Sequence, residues 1–233
     1  MKSLTIVLLF ISGCISAQTN SVAQFAIWKP KEGHLQNFEN GYKQHLNWHK
    51  INGDKWSWYG WYVVSGTRYG QFIDATFDHT WADFDKAIKP AEDFADNMLH
   101  VLPFADFQTA FKVSFYPKLS TVDTFSNKLK LIKFVTLTTT NIDNGLRLVN
   151  KLKEFYTSKQ IKSFKTYQVV DGGATNQILL LMGFDSWEEY SVSETFNEKV
   201  TELEQSLKMK TIGSINAETM IYRADMSLFP NQK

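Results

Sequence analysis

Three groups of side chains in this sequence have the types and spacing that chemistry requires. His45 and His49 stand four residues apart, and on a helix that spacing presents both imidazoles on one face, where they can meet one metal ion. Leu46, Asn47 and Trp48 lie between them, so the glutamate that follows the first histidine of a zinc-protease helix is missing. Spacing fixes no third ligand, although His34, His79 and Asp74 are candidates. His49 also continues an apolar stripe, so a hydrogen-bonded core or boundary histidine is the simpler expectation, and no metal is assigned. The second group is a single carboxylate, Asp74, inside the apolar run from Phe72 to Phe77. Enclosed there, its pKa would rise and it could accept or donate a proton; at a sheet edge it would be paired or solvated instead. The third group is aromatic: Trp48, Trp56, Trp58, Tyr59, Trp61 and Tyr62. Such rings make flat pocket walls with hydrogen-bonding tips, or they fill space between sheets, or they form a self-association surface. Strand alternation groups Trp58 with Tyr62 and Trp61 with Tyr59.

Other chemistries are absent. The sequence has no Gly-x-Ser-x-Gly elbow, no phosphate-binding glycine loop, no dinucleotide fingerprint and no Cys-x-x-Cys pair, which argues against a serine hydrolase, a nucleotide enzyme and a disulfide exchanger. Without Lys2 the chain carries 24 basic and 24 acidic side chains with both signs interspersed. Nothing in that balance attracts nucleic acid or an anionic membrane surface.

The elements that must hold these residues begin after a leader. Lys2, the apolar run Leu4 to Ile11 and the small-residue segment Ser12 to Ala17 have the layout of a signal peptide, which predicts an exported, periplasmic or secreted protein cut after Ala17. Ile11-Ser12-Gly13-Cys14 also resembles a lipobox, so lipid anchoring at Cys14 is the alternative. No later stretch approaches the roughly 20 apolar residues of a membrane helix. Cys14 is the only cysteine, so no internal disulfide is expected and the core must carry stability. The roughly 200 residues after the leader suffice to bury on the order of 70% of their unfolded surface.

Those residues read as two copies of one unit. Val64 and Val170 fall in matching stretches 106 positions apart, and Trp81 and Trp187, in Phe77-Asp78-His79-Thr80-Trp81 and Phe184-Asp185-Ser186-Trp187, are again 106 apart. The first unit is expected over residues 18–117, a linker over 118–128 and the second unit over 129–229. Each opens with a β-rich run, Val22 to Trp28 and Leu131 to Thr138. A helix follows, with Leu35, Phe38, Tyr42, Leu46 and His49 in the first and Leu148, Leu152 and Phe155 after an Asp143 cap in the second. Glycine-containing turns then join strand pairs, Trp56 to Val64 with Tyr69 to Phe77, and Phe164 to Val170 with Gln177 to Phe184. Thr80-Trp81-Ala82-Asp83 and Ser186-Trp187-Glu188-Glu189 look like capping boxes that start a second helix. Pro90 divides that helix in the first unit, whereas Phe196, Val200, Leu203 and Leu207 make one long stripe in the second. Final strands are expected near Phe107 to Tyr116 and Glu218 to Met226.

The fold class is therefore α+β, two ferredoxin-like βαββαβ repeats whose antiparallel sheets face each other as one intrachain barrel. On this element order and on the Val-Val-x-Gly and Phe-Asp-x-Trp stretches, the chain resembles the dimeric α+β barrel superfamily, including antibiotic-monooxygenase-like and NIPSNAP-like domains. That resemblance implies a cavity between the sheets that takes a small organic molecule or haem, and activities that range over cofactor-independent oxygenases, isomerases and haem-degrading enzymes. Aligning Ile73, Ala75 and Phe77 with Leu180, Met182 and Phe184 assigns that face to the helices and turns Phe72, Asp74 and Thr76 to the cavity. The expected site is thus Asp74 and His49 as proton shuttles, with Trp58, Tyr62, Phe72 and Thr76 against a ligand. The leading function is small-molecule binding in an aromatic cavity; a small oxygenase or isomerase and an assembly module are alternatives. The cofactor is left open, and self-association remains a candidate.

Overall fold

The computed structural model describes residues 21–121 and 126–230. The proposed leader, with Cys14 and Ala17, and residues 122–125 of the expected linker lie outside the described residues. Strands β1 (Val22–Pro30), β2 (Tyr59–Ser65), β3 (Phe72–His79) and β4 (Ala105–Phe115) are joined by helices α1 (Leu35–Ile51), α2 (Trp81–Phe84) and α3 (Pro90–His100). Strands β5 (Leu131–Thr139), β6 (Ser163–Asp171), β7 (Gln177–Phe184) and β8 (Ile212–Tyr222) follow, with helices α4 (Ile142–Ser158), α5 (Trp187–Tyr190) and α6 (Phe196–Ser206). No helix among the described residues is long and apolar enough to cross a membrane.

All eight strands close into one antiparallel barrel in the order β1-β3-β2-β8-β5-β7-β6-β4. Two seams complete it, β2 on β8 and β4 on β6. Period-two alternation decides what each face meets. Phe25, Trp61, Ile73, Ala75, Phe134, Tyr167, Leu179 and Leu181 point inward and pack one apolar core. Outside, two helical layers cover the barrel. Under α4 and α6 lies a continuous apolar core that includes Leu148, Leu152, Tyr156, Leu180 and Val200. Under α1 and α3 the layer contains Trp28, Phe38, Tyr42, Leu46 and Phe72.

For β3 this reverses the face assignment made from the sequence, whereas Leu180, Met182 and Phe184 of β7 do face the helices as expected. Ile73 and Ala75 belong to the barrel interior, and Phe72, Asp74 and Thr76 look toward the helices. The registers show why: Gly60 faces Asp74 and Thr166 faces Leu180, so the hairpins superpose at the 106-residue offset and Asp74 matches Leu180. Aligning Phe77 with Phe184 slipped the strand by one residue, and a one-residue slip turns every side chain to the other face.

Among the local signals, β2 starts at Tyr59 rather than Trp56 and β3 at Phe72 rather than Tyr69, and three further details differ. Asn141, not Asp143, caps α4, its side chain accepting from the Asn144 amide at 3.0 Å. The second helix is divided in both halves: Pro90 starts α3, as expected, but α5 also stops, and a 3-10 turn at Ser191–Ser193 precedes α6. The last strand begins at Ile212, six residues ahead of the expected Glu218, because Glu204 Oε1 accepts from the Thr211 and Ile212 amides and carries the chain into the sheet.

Candidate active site

A cavity of about 450 Å³ lies between the sheet and the α1–α3 pair rather than between two sheets. Its floor comes from alternate residues of β1 (Gln24, Ala26, Trp28) and from Asp74 of β3; its roof comes from Tyr42, His45, Leu46 and His49 of α1 and Asp93, Phe94 and Asn97 of α3. Phe94 and Phe107, 64% and 48% exposed, stand at its mouth. The roof can sit so close because Gly41 of α1 has no side chain: a Cβ there would lie 1.8 Å from the His100 carbonyl oxygen at the end of α3.

Asp74 is buried, 5% exposed. Its Oδ2 accepts from Trp28 Nε1 at 2.7 Å, and the Tyr42 hydroxyl also bonds it. Burial raises its pKa to about 7, against the pull of those two bonds and of nearby His49. The Tyr42 hydroxyl is driven well above its ordinary value by burial and by the Asp74 charge, so it stays a donor. A carboxyl that titrates near neutrality on an apolar floor has the properties of a general base or acid.

On the roof, His45 and His49 do share a face. Their Nε2 atoms are 3.2 Å apart, and Asp93 Oδ1 lies 3.3 Å from the first and 3.5 Å from the second. His45 Nδ1 is 2.7 Å from Asp96 Oδ2, and His49 Nδ1 is 2.8 Å from Asp54 Oδ2. Burial, working against the Asp96 bond, holds His45 toward its neutral form. Asp54 is itself fixed by the Trp56 amide and by Trp58 Nε1, both at 3.0 Å, and the Trp58 ring tilts over His49 at 4.8 Å.

The cavity therefore takes in Asp74, His45, His49 and Trp58 of the residues singled out from sequence. The structure does not bring the expected ligand contacts Phe72, Thr76 and Tyr62 to it, nor Trp48, Trp56, Tyr59 and Trp61 of the aromatic group. Phe72 packs on Tyr42 at 4.7 Å in the helix layer. Thr76 Oγ1 sits 2.6 Å from His79 Nε2. Tyr62 lies over Phe72 on one side and under Arg223 on the other, where Arg223 pairs with Glu39. His34, at the start of α1, and His79 do not join the histidine pair. Sequence reasoning missed Asp93, Asp96, Asn97, Asp54, Trp28 and Tyr42. One signal was present: Asp93 and Asn97 repeat, on α3, the four-residue step of His45 and His49 on α1. In the second half, Leu152 and Tyr156 occupy the α4 positions of His45 and His49 and are fully buried.

The barrel axis itself is packed by the inward-facing core, and the hollow of about 400 Å³ at one end, beside Arg68, Phe134 and Gln177, is lined by none of the expected site residues. Haem does not fit the α1–α3 cavity. An axial imidazole needs a flat slot open beyond its Nε2, whereas the Nε2 atoms of His45 and His49 face each other and Asp93.

No family model matches the chain, and no curated protein sequence matches it. Solved structures do match, by shape. A monooxygenase-like protein from Lactobacillus acidophilus NCFM superposes with a TM-score of 0.60 at 10% identity, over 91% of this chain and 97% of its own. An anthrone oxidase-like protein gives 0.59 at 10% identity over 94% and 97%, and a chlorite dismutase-like protein 0.58 at 11% over 89% and 97%. At identities this low the likeness is one of fold, which the chain shares with them.

Proposed function

We propose that the protein is a small-molecule oxygenase or isomerase that works by proton abstraction, with the α1–α3 cavity as its active site. The observation that carries this reading is Asp74: a carboxyl titrating near pH 7 on the floor of a cavity whose size falls within the roughly 300–1,000 Å³ of small-molecule sites. The contrast between halves supports it, since the layer under α4 and α6 is built mainly of apolar side chains, with Leu152 and Tyr156 in the places of His45 and His49.

The chemistry is a transfer from carbon to carboxylate. Ionised Asp74 takes the proton of an acidic C–H conjugated with a carbonyl, the C–H electron pair moves into an enolate or phenolate, and Trp28 and Tyr42 keep the carboxylate aimed by their hydrogen bonds. Return of the proton at another carbon completes an isomerisation. Transfer of the carbanion's electrons to dioxygen gives a hydroperoxide, which loses water to leave a ketone and completes an oxygenation. The flat aromatic boundary of Trp28, Trp58 and Phe107 suits a planar, hydroxylated aromatic substrate. The monooxygenase-like and anthrone oxidase-like character of the shape neighbours agrees with the oxygenase branch.

Anthrone and dioxygen make a direct test, read as oxygen uptake and quinone absorbance. The wild type accelerates the reaction, and Asp74→Asn loses about 10²–10⁴-fold of the acceleration. Equal rates for both would remove the reading, and tight binding of the ligand without turnover would leave a binding protein in its place.

We also infer that the chain arose by internal duplication of one βαββαβ unit and that its leader directs export. Mass measurement of the mature protein from its host separates cleavage after Ala17 from lipidation at Cys14, and an intact Met1 would remove export.

A further inference from the structure

We infer that His45, His49 and Asp93 hold a divalent transition-metal ion in the roof of the cavity. The two Nε2 atoms and Asp93 Oδ1 form a triangle with edges of 3.2, 3.3 and 3.5 Å. Metal bonds of roughly 2.0–2.2 Å, at angles between octahedral and tetrahedral, separate neighbouring donors by roughly 2.8–3.6 Å. One ion can therefore reach all three atoms without moving a backbone.

Proton placement points the same way. His45 Nδ1 is hydrogen-bonded to the Asp96 carboxylate, which keeps the proton on Nδ1 and the lone pair on Nε2, while His49 Nδ1 lies 2.8 Å from Asp54 Oδ2 outside hydrogen-bond alignment. Asn97 Nδ2, donating to His45 Nε2 at 2.8 Å, requires the same tautomer. The His45 Nε2 lone pair, His49 Nε2 and Asp93 Oδ1 thus converge on one another. Asp93 Oδ1 and Asn97 Oδ1 are buried atoms without a hydrogen-bond donor, a costly state that a cation relieves. A metal on His45 Nε2 would displace the Asn97 Nδ2 bond made there without it, and the amide, turned over, would then offer Oδ1 as a fourth ligand.

The donor set chooses the ion. Two imidazole nitrogens and one carboxylate oxygen suit Fe²⁺, Co²⁺, Ni²⁺ or Zn²⁺ rather than the all-oxygen preference of Mg²⁺ or Ca²⁺. All four residues line the cavity, so the remaining coordination positions face the substrate space, as in a catalytic rather than a closed structural site. There the ion would draw charge onto a bound oxygen across from Asp74.

The site stands apart from the Asp74 reading and is tested without substrate. Full-length protein freed of metal with a chelator is titrated with Co²⁺, reading visible absorption and bound stoichiometry. The expected result is one ion per chain, visible bands of nitrogen–oxygen coordination, and a melting temperature that rises with Co²⁺ concentration. Asp96→Asn weakens binding about 10–100-fold, Asp93→Asn weakens it further, and the control His34→Ala leaves it unchanged. Asp93 is a third exposed, so its asparagine variant should keep the wild-type far-ultraviolet spectrum and report on binding alone. Absence of saturable Co²⁺ and Zn²⁺ binding by the wild type, or undiminished binding by folded Asp93→Asn, would overturn the assignment and leave a proton-sharing histidine network. Neither result changes what Asp74→Asn does to turnover.

Discussion

Burial of Asp74 sets its charge against the stability of the fold. In the unfolded chain the carboxyl has a pKa of about 3.9; in the folded chain burial raises it to about 7. The folded state therefore holds the proton more tightly, and its share of stability is complete below about pH 4 and lost as pH rises through 7. A difference of this size corresponds to something on the order of 4 kcal/mol. Asparagine cannot ionise, yet its amide oxygen still accepts from Trp28 Nε1 and Tyr42. Asp74→Asn should thus melt close to wild type at pH 4 and several degrees higher at pH 8, measured by calorimetry at both pH values. A lower melting temperature at pH 8 would show that the carboxylate is stabilised by its partners and is no poised base. Higher stability with lost turnover is the signature of a residue kept for chemistry.

At the scale of elements, the roof of the cavity depends on the close pairing of α1 with α3, and Gly41 permits their closest approach. Alanine in a helix ordinarily stabilises by about 1 kcal/mol over glycine. At Gly41 the added carbon would lie 1.8 Å from the His100 carbonyl, and overpacking of that kind costs about 1–3 kcal/mol. The clash wins, so Gly41→Ala should lower the urea midpoint and weaken Co²⁺ binding by pushing Asp93 away; an unchanged or raised midpoint would mean that the two helices do not touch in solution. Periodicity made these elements legible. The stripe from Leu35 to His49 marks α1, Pro90 marks the start of α3, and Gln177 to Phe184 coincides with β7. The location of the site was not legible, for two physical reasons. β7 is apolar on both faces, and β3 carries its polar residues Asp74 and Thr76 on the buried, helix-facing side, so alternation pointed the wrong way and the one-residue slip went undetected. The pairing of α1 with α3 across more than forty residues of sequence, which brings Asp93 and Asp96 to the histidines, is decided by tertiary packing and leaves no local mark.

For the whole molecule the decisive feature is that neither half closes its own sheet. Phe25 of β1 meets Phe134 of β5 edge-on at 6.0 Å, and Phe77 of β3 meets Tyr167 of β6 at 6.1 Å, so each inner face is the other's cover. The seams add polar locks. Glu218 of β8, 1% exposed, accepts from Thr67 Oγ1 and the Arg68 amide at 3.0 and 2.8 Å and from Arg68 Nε at 2.6 Å, and Arg68 lies over the Phe134 ring. Removing one partner of a buried ion pair costs about 3–5 kcal/mol, somewhat less here because Arg68 keeps a fifth of its surface in water. If the halves depend on each other, Glu218→Ala must lower the stability of both together rather than release one. The sequence provides the reporters, since six of the seven tryptophans lie between Trp28 and Trp81 and their fluorescence follows the first half, while far-ultraviolet circular dichroism follows all eight strands. Denaturation of the wild type and of Glu218→Ala should each give one midpoint shared by the two signals, the variant's lower by an amount equivalent to about 2–4 kcal/mol. Separate midpoints for fluorescence and dichroism would show that the first half, with its cavity, folds on its own, and the seams would then be contacts between finished domains rather than part of a single core.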